Sequence, residues 1–339
     1  MTKVLVTGGA GFIGSNFVRY ALRTHPDWHV TTLDKLTYCG RLENLHDVID
    51  DRRHTFVLGD IADAEVSAPL VRASHIVVHF AAETHVDRSL QSAGAFIQTD
   101  VFGTFVLLEA ARQATGLRRF IQISTDEVYG SVEAGASKET DELRPRNPYS
   151  ASKVGADRLA YSYWATYEVP VIVTRASNNY GPYQFPEKVI PLFVTNALEG
   201  LELPLYGDGM NVRDWLHVDD HCRAIDLVVE RGTAGDAYNV GGGNEVTNLD
   251  LTRRILELTG RPETLIRPVS DRPGHDRRYA LDSGKLRALG WAPRQAFADA
   301  LAATVEWYRS NPWWWHPVKH QDPAFQAYYR AQYTARPGA

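Results

Sequence analysis

Cysteine is almost missing from this chain. Cys39 and Cys222 are the only two, too few for a disulfide framework. Neither stands in a CxxC pair or a Cys/His cluster of zinc spacing, so idle thiols and no bound metal are expected. Lysine is sparse too, seven residues against 29 arginines, and the cationic positions are scattered. With a formal charge of −5 there is no basic footprint, which argues against a nucleic-acid partner. No apolar run approaches the roughly 20 residues of a membrane span, and the opening MTKVLVTGG enters a strand pattern without a secretory leader. No membrane partner and a cytoplasmic location are therefore expected. Internal repeats and low-complexity linkers are lacking as well. What remains is an ordinary globular composition, 44% hydrophobic and 23% charged over 339 residues. That length exceeds one compact core, so two domains are expected.

The chain opens on an apolar strand at residues 3–7, followed at once by Gly8, Gly11 and Gly14 and a helical pattern through Leu22. Glycines at this spacing, between strand and helix, let the backbone approach a pyrophosphate at a helix N-terminus. A second strand, residues 29–33, ends in Asp34, twenty residues beyond Gly14. A carboxylate there accepts bonds from a ribose diol and repels a 2′-phosphate, which favours NAD over NADP; Lys35 next door works against that preference. Strand and helix patterns then alternate: a strand at 55–59 leading to Asp60, a helix over 64–71, and an apolar run at 76–82. Such continuous apolar strands predict an α/β fold, a Rossmann-like doubly wound parallel sheet covered on both faces. Asp60 reads either as a helix N-cap or as a residue near an adenine. The polar run 83–89 leads into a helix expected to continue through about Arg112. His85 within that run is either a reactive imidazole or a packed one.

A further buried strand at 119–123 leads to two adjacent carboxylates, Asp126 and Glu127, at the sheet edge where ligands bind. Burial or mutual repulsion can hold one protonated while the other stays charged, so that the pair serves as acid and base together. A solvated loop pair is the alternative. Downstream, Tyr149 and Lys153 lie four apart at the start of a helix running through Tyr167. On one helix face the ammonium is expected to lower the phenol's pKa and to bond a nicotinamide ribose, making Tyr149 a base. Beyond a sixth strand at 169–173, turn residues and prolines become dense, which marks a second lobe. The chain is expected to return to the first domain through a helix start at 217–220 and a strand at 237–240, with glycines 241–243 as a turn.

Together the glycine loop, STDEVYG at 124–130 and YSASK at 149–153 resemble the nucleotide-sugar 4,6-dehydratases of the extended short-chain dehydrogenase/reductase family over nearly the whole chain. Residues 177–188, 204–207, 211–215 and 271–275 agree with it. The resemblance implies bound NAD, a smaller C-terminal α+β substrate lobe, and a nucleoside-diphosphate hexose substrate, dTDP-glucose ahead of UDP-glucose. It implies a homodimer through the helices near 89–112 and 149–167. Residues 1–176 and 214–244 are expected to bind the cofactor, and 177–213 and 245–339 the nucleotide sugar. Around the cofactor the resemblance implies Gly8, Gly11, Phe12, Ile13, Gly14, Asp34, Lys35, Thr37, Asp60, Ile61, Ala81, Ala82, Thr99, Tyr149, Lys153 and Asn179. Around the substrate it implies Thr84, His85, Thr125, Asn178, Lys188, Val189, Pro204, Tyr206, Arg213, Asn248, Arg272 and His275. The cationic members would neutralise a diphosphate if they converge on it.

The implied reaction is an internal redox dehydration with Thr125, Asp126, Glu127, Tyr149 and Lys153 as the catalytic group. Tyr149 takes the C4 hydroxyl proton as hydride passes to NAD, with Thr125 polarising the C4 oxygen. Glu127 removes the C5 proton, Asp126 protonates the departing C6 hydroxyl, and hydride returns to C6. A 4-epimerase needs no acid/base pair for elimination, and uronate decarboxylases that resemble this sequence carry Ser where Asp126 stands. Asp126 is thus the discriminating residue; a non-catalytic NAD-binding regulator is the alternative from another class. One departure is Asp100, where relatives carry Asn; a local hydrogen-bond change without loss of activity is expected. Trp313, Trp314 and Trp315 read first as packing and second as an interface.

Overall fold

The computed structural model describes residues 1–334. In chain order the strands are β1 (Thr2–Thr7), β2 (Trp28–Asp34), β3 (His54–Leu58), β4 (Ile76–His79), β5 (Arg119–Thr125), β6 (Val171–Ala176), β7 (Asn178–Tyr180), β8 (Leu203–Tyr206), β9 (Val212–His217), β10 (Ala237–Val240), β11 (Glu245–Thr247) and β12 (Ile266–Val269). Seven of them build one parallel sheet in the order β10-β6-β5-β4-β1-β2-β3. Their apolar runs are continuous because helices cover both faces: Val4, Val6, Val30 and Val78 pack into one core, Leu5, Leu33, Val77 and Phe120 into another. The strand order reverses at β1, which pairs with β2 on one side and β4 on the other. Such a reversal opens a crevice at the carboxyl ends of the strands.

The helix expected to run unbroken to Arg112 is instead two helices, Val86–Gln91 and Gly94–Arg112, separated by Ser92 in an extended conformation. Gly94 lies just past the break, and Gly is the poorest helix former after Pro. Gly94–Arg112 contains a π-helical stretch, Ile97–Gly103. With 19 residues and a mean hydropathy of 1.2 it has the length and composition of a membrane span, contrary to the expectation that no stretch would. It packs against the helices Ala64–Arg72 and Pro148–Tyr167 on the sheet face, with a little over half of its apolar stretch buried.

The remaining strands form two small sheets, β11-β9-β7 and β12-β8. They surround a separate core in which Tyr180, Phe193, Trp215, Tyr308, Trp314 and Trp315 pack together, giving the smaller α+β lobe. The domain boundary expected at residue 214 falls inside β9. Of the tryptophan run, Trp314 donates to Asn44 Oδ1 at 2.7 Å and Trp315 to the Tyr308 carbonyl at 2.7 Å, while Trp313 stays 46% exposed.

Candidate active site

A cleft of about 270 Å³ lies along the carboxyl ends of the central strands, and every residue expected around the cofactor lines it. Its floor is the turn after β1. Gly8 takes φ +69°, and a Cβ on Gly14 would stand 2.2 Å from the Gly8 carbonyl oxygen, so only glycine permits the strand-to-helix turn. The helix Phe12–Thr24 starts from Gly11 with no side-chain cap and no acid in its first turn. Its first N–H groups are left for an anion. At the end of β2, Asp34 accepts from the N–H groups of Ala10 (3.0 Å) and Leu36 (2.9 Å), and burial raises its pKa. The Lys35 ammonium is spent elsewhere, on Thr99 Oγ1 at 3.1 Å, Asp60 at 3.5 Å and Glu83 at 3.8 Å. Of the two readings of Asp60, the helix cap is the one the structure rejects. Asp63 caps Ala64–Arg72 by accepting from Glu65 N–H at 2.9 Å, and Asp60 accepts from Ala62 N–H. Helix N-terminus, carboxylate and glycine turn together match the pyrophosphate and ribose of a dinucleotide.

The opposite wall carries the acid–base groups. β5 ends at Thr125, whose hydroxyl accepts from Glu127 N–H (3.3 Å) and caps the short turn Asp126–Tyr129. This turn swings both carboxylates into the cleft. Asp126 is 3% exposed, its Oδ1 accepts from Thr125 Oγ1 at 3.2 Å, and its Oδ2 has no hydrogen-bond partner among the described residues. Burial first, then the charges of Glu127 and Asp214, push its pKa well above the usual carboxylate range, against the opposing pull of Arg213. The surroundings of Asp126 therefore favour its protonated form. Glu127 Oε2 accepts from Asn147 Nδ2 at 3.4 Å.

Tyr149 and Lys153 occupy the first turns of Pro148–Tyr167. The expected lowering of the phenol's pKa is reversed. Burial and the charges of Glu127 and Asp100 raise it well above its ordinary range, with the Thr125 hydroxyl pulling the other way. The Lys153 ammonium instead donates to the Ile123 carbonyl at 2.7 Å, its pKa lowered by burial. Asp100 sits behind this pair, 1% exposed, accepting from Ser152 Oγ at 2.6 Å and Glu83 N–H at 2.8 Å. Burial raises its pKa to about 6.

Of the residues expected around the substrate, Thr84, Thr125, Asn178 and Lys188 line the cleft, and the Lys188 ammonium donates to the Thr84 carbonyl. His85, Val189, Pro204, Tyr206, Arg213, Asn248, Arg272 and His275 lie outside its wall. His85 is buried and kept neutral by burial and by the charges of Lys188 and Arg272. Arg272 stands 3.6 Å from Asp87, to which the Tyr206 hydroxyl also donates at 3.0 Å. Arg213 donates to the Asp276 carbonyl at 2.9 Å and lies 4.4 Å over the Tyr279 ring. His275 pairs with Asp271 at 2.6 Å and meets the Tyr206 ring edge-on. Pro204 is buried in β8; Val189 and Asn248 open the helices Val189–Glu199 and Asn248–Thr259. Sequence reasoning missed Asn147, although an Asn before Pro148 is a helix-start signal. It also missed Asp87, Glu187 and its partner Arg88 at 2.8 Å, which carry no local signature.

The family model described as GDP-mannose 4,6 dehydratase matches residues 5–304. The chain is 54% identical to dTDP-glucose 4,6-dehydratase of Streptomyces niveus, over 95% of this chain and 97% of that one. It is 47% identical to dTDP-glucose 4,6-dehydratase 1 of Escherichia coli K12, over 98% and 99%. Among solved structures, DesIV, the dTDP-glucose 4,6-dehydratase from Streptomyces venezuelae with NAD and TYD bound, superposes with a TM-score of 0.91. It is 53% identical, covering 94% of this chain and all of that one. With the doubly wound sheet, the glycine turn and the paired carboxylates in place, the chain belongs to the GDP-mannose 4,6 dehydratase family of extended short-chain dehydrogenase/reductases.

Proposed function

We propose that this chain is an NAD-dependent dTDP-glucose 4,6-dehydratase, a carbon–oxygen lyase forming dTDP-4-keto-6-deoxyglucose and water. The observation that carries the reading is Asp126, buried beside Glu127 in the wall of the cleft with its pKa pushed up. Elimination across C5 and C6 needs a proton donor and a proton acceptor together, and an acid kept neutral by burial is the donor. An epimerase has no use for that pair. The identities with dTDP-glucose 4,6-dehydratases support the same reading.

The glycine turn, Asp34 and the cleft residues around them would hold NAD, which would supply the hydride acceptor and donor for the exchange between C4 and C6. The chain's own groups handle the protons. Thr125 and Tyr149 bond the C4 oxygen, and Tyr149 accepts the C4 hydroxyl proton. Because carboxylates surround the phenol, that step needs a positive charge beside it, which Lys153 supplies on leaving the Ile123 carbonyl. Glu127 takes the C5 proton, made acidic by the neighbouring ketone, and Asp126 protonates the departing C6 hydroxyl. Lys188 in the cleft wall, with Arg213 and Arg272 beyond it, would balance the diphosphate. In this reading residues 1–176 and 214–244 serve the cofactor and 177–213 and 245–339 the nucleotide sugar, in a cytoplasmic homodimer.

Incubation with dTDP-glucose and, separately, UDP-glucose, followed by the ultraviolet absorbance that alkali induces in 4-keto sugars, tests the reading. Product from dTDP-glucose is expected; product from neither substrate overturns it. Asp126→Asn and Glu127→Gln are expected to oxidise C4 still, while product formation falls by about 10²–10⁴. Full product formation by either variant would refute the assigned roles.

A further inference from the structure

Away from the cleft, three side chains that the reaction does not use meet across two helices of the substrate lobe. His316 and His320 stand one turn apart on the helix Pro312–Gln321 and so share a face. Their ring centroids are 4.3 Å apart. Opposite them, Glu199 is the last residue of Val189–Glu199, and its Oε1 lies 2.5 Å from His320 Nε2. One ligand atom from each of the three falls within 4.8 Å of the others. Both histidines are exposed and Glu199 is half-buried.

We propose that His316, His320 and Glu199 form a surface site for a divalent transition-metal ion of the zinc, nickel or copper class. Two imidazoles and a carboxylate are ligands of this class, whereas calcium and magnesium prefer oxygen throughout. At bond lengths of ~2.0–2.2 Å a tetrahedral ion holds its donors ~3.3 Å apart, so small side-chain rotations bring these three into place. Water fills the outward position. The carboxylate is already oriented: Lys319 Nζ holds Glu199 Oε2 at 2.5 Å and Asn196 Oδ1 at 2.9 Å, leaving Oε1 on the histidine side. This outer contact fixes the ligand as second-layer bonds do in metal centres, while the ammonium's charge keeps the affinity moderate.

The position gives the ion a mechanical role. Val189–Glu199 follows Lys188 of the cleft directly, and Pro312–Gln321 leads into the C-terminal segment whose Tyr328 lies edge-on to His85 and 4.5 Å from the Arg88 guanidinium. An ion bridging the two helices ties that segment to the lobe beside the cleft. Titration calorimetry of the full chain with zinc chloride or nickel chloride is expected to show one saturable site. His316→Ala/His320→Ala is expected to weaken it by at least about tenfold, and Glu199→Gln in the same direction. Amide exchange over residues 312–333 is expected to slow on loading in the native chain and not in the double variant. The histidines are exposed, so the double histidine variant keeps its fold and its turnover of dTDP-glucose. Absence of saturable binding in the native chain, or binding of equal strength in the double variant, overturns the proposal.

Discussion

Asp100 stands in the seam between two helices with both oxygens engaged, by Ser152 and by the Glu83 amide. Its charge is nevertheless a burden. Burial raises its pKa from 3.8 to about 6 even with Lys153 nearby. A carboxyl whose folded pKa lies above its unfolded one stabilises the fold below pH ~4 and loses that contribution as pH climbs through ~6, worth at most about 3 kcal/mol. Asp100→Asn keeps the shape and both contacts without the charge. The melting temperature of Asp100→Asn relative to the native chain is therefore expected to rise between pH 4 and 7, with dehydration retained. A constant difference across that range would show that Asp100 does not titrate there. At this scale the sequence was informative about identity and silent about environment. That Asp126 and Glu127 stand side by side at the cleft was legible from their adjacency at a strand end. That the Asp126 pKa is pushed up depends on burial and on Asp214, brought in from β9, against the opposing pull of Arg213 from the same strand.

The element that positions the chemistry is the helix Pro148–Tyr167. Asn147 caps it in a capping box with Ser150, accepting from Ser150 N–H at 2.8 Å, and donates to Glu127 from the same side chain. The cap fixes the turn carrying Tyr149 and Lys153. Asn147→Ala is expected to cost about 1 kcal/mol of stability by thermal or urea unfolding and to lower turnover further by releasing Glu127. Asn147→Ser, which restores the cap without the amide, should recover the stability and not the turnover. Recovery of both would leave the Glu127 contact without consequence. The strands were readable because parallel strands are apolar on both faces: the one expected at 29–33 is Trp28–Asp34, and that at 237–240 matches as expected. The break at Ser92 was not readable, because periodicity continues across it. The three-residue strands β7 and β11 were equally hidden, being too short to show alternation.

For the whole molecule, the helix Gly94–Arg112 poses the question that sequence periodicity left open. A helix apolar all round is covered all round, yet only one side of this one rests on the sheet. Ile97, Phe102 and Phe105 on it are 53%, 44% and 40% exposed, Leu90 just before it is 41% exposed, and Tyr161 and Tyr167 on the adjacent Pro148–Tyr167 are 40% and 50% exposed. Phe102 and Phe105 meet each other at 5.8 Å. Isolated exposed apolar residues are ordinary, but this concentration on two neighbouring helices is what an interface between copies would require. A two-fold pairing would bring the two helices against their copies as a four-helix arrangement, each patch covering itself. In such a pairing the membrane-span composition would have its cause in two coverings, sheet on one side and partner on the other. Light scattering after size exclusion is expected to give twice the chain mass, and Phe102→Glu/Phe105→Glu, which places like charges opposite each other, should give a folded monomer. Because the cleft is built within one chain, that monomer should still bind NAD, measurable by fluorescence titration. A native chain running as a monomer at micromolar concentration would sink the pairing and leave the apolar face without a cover.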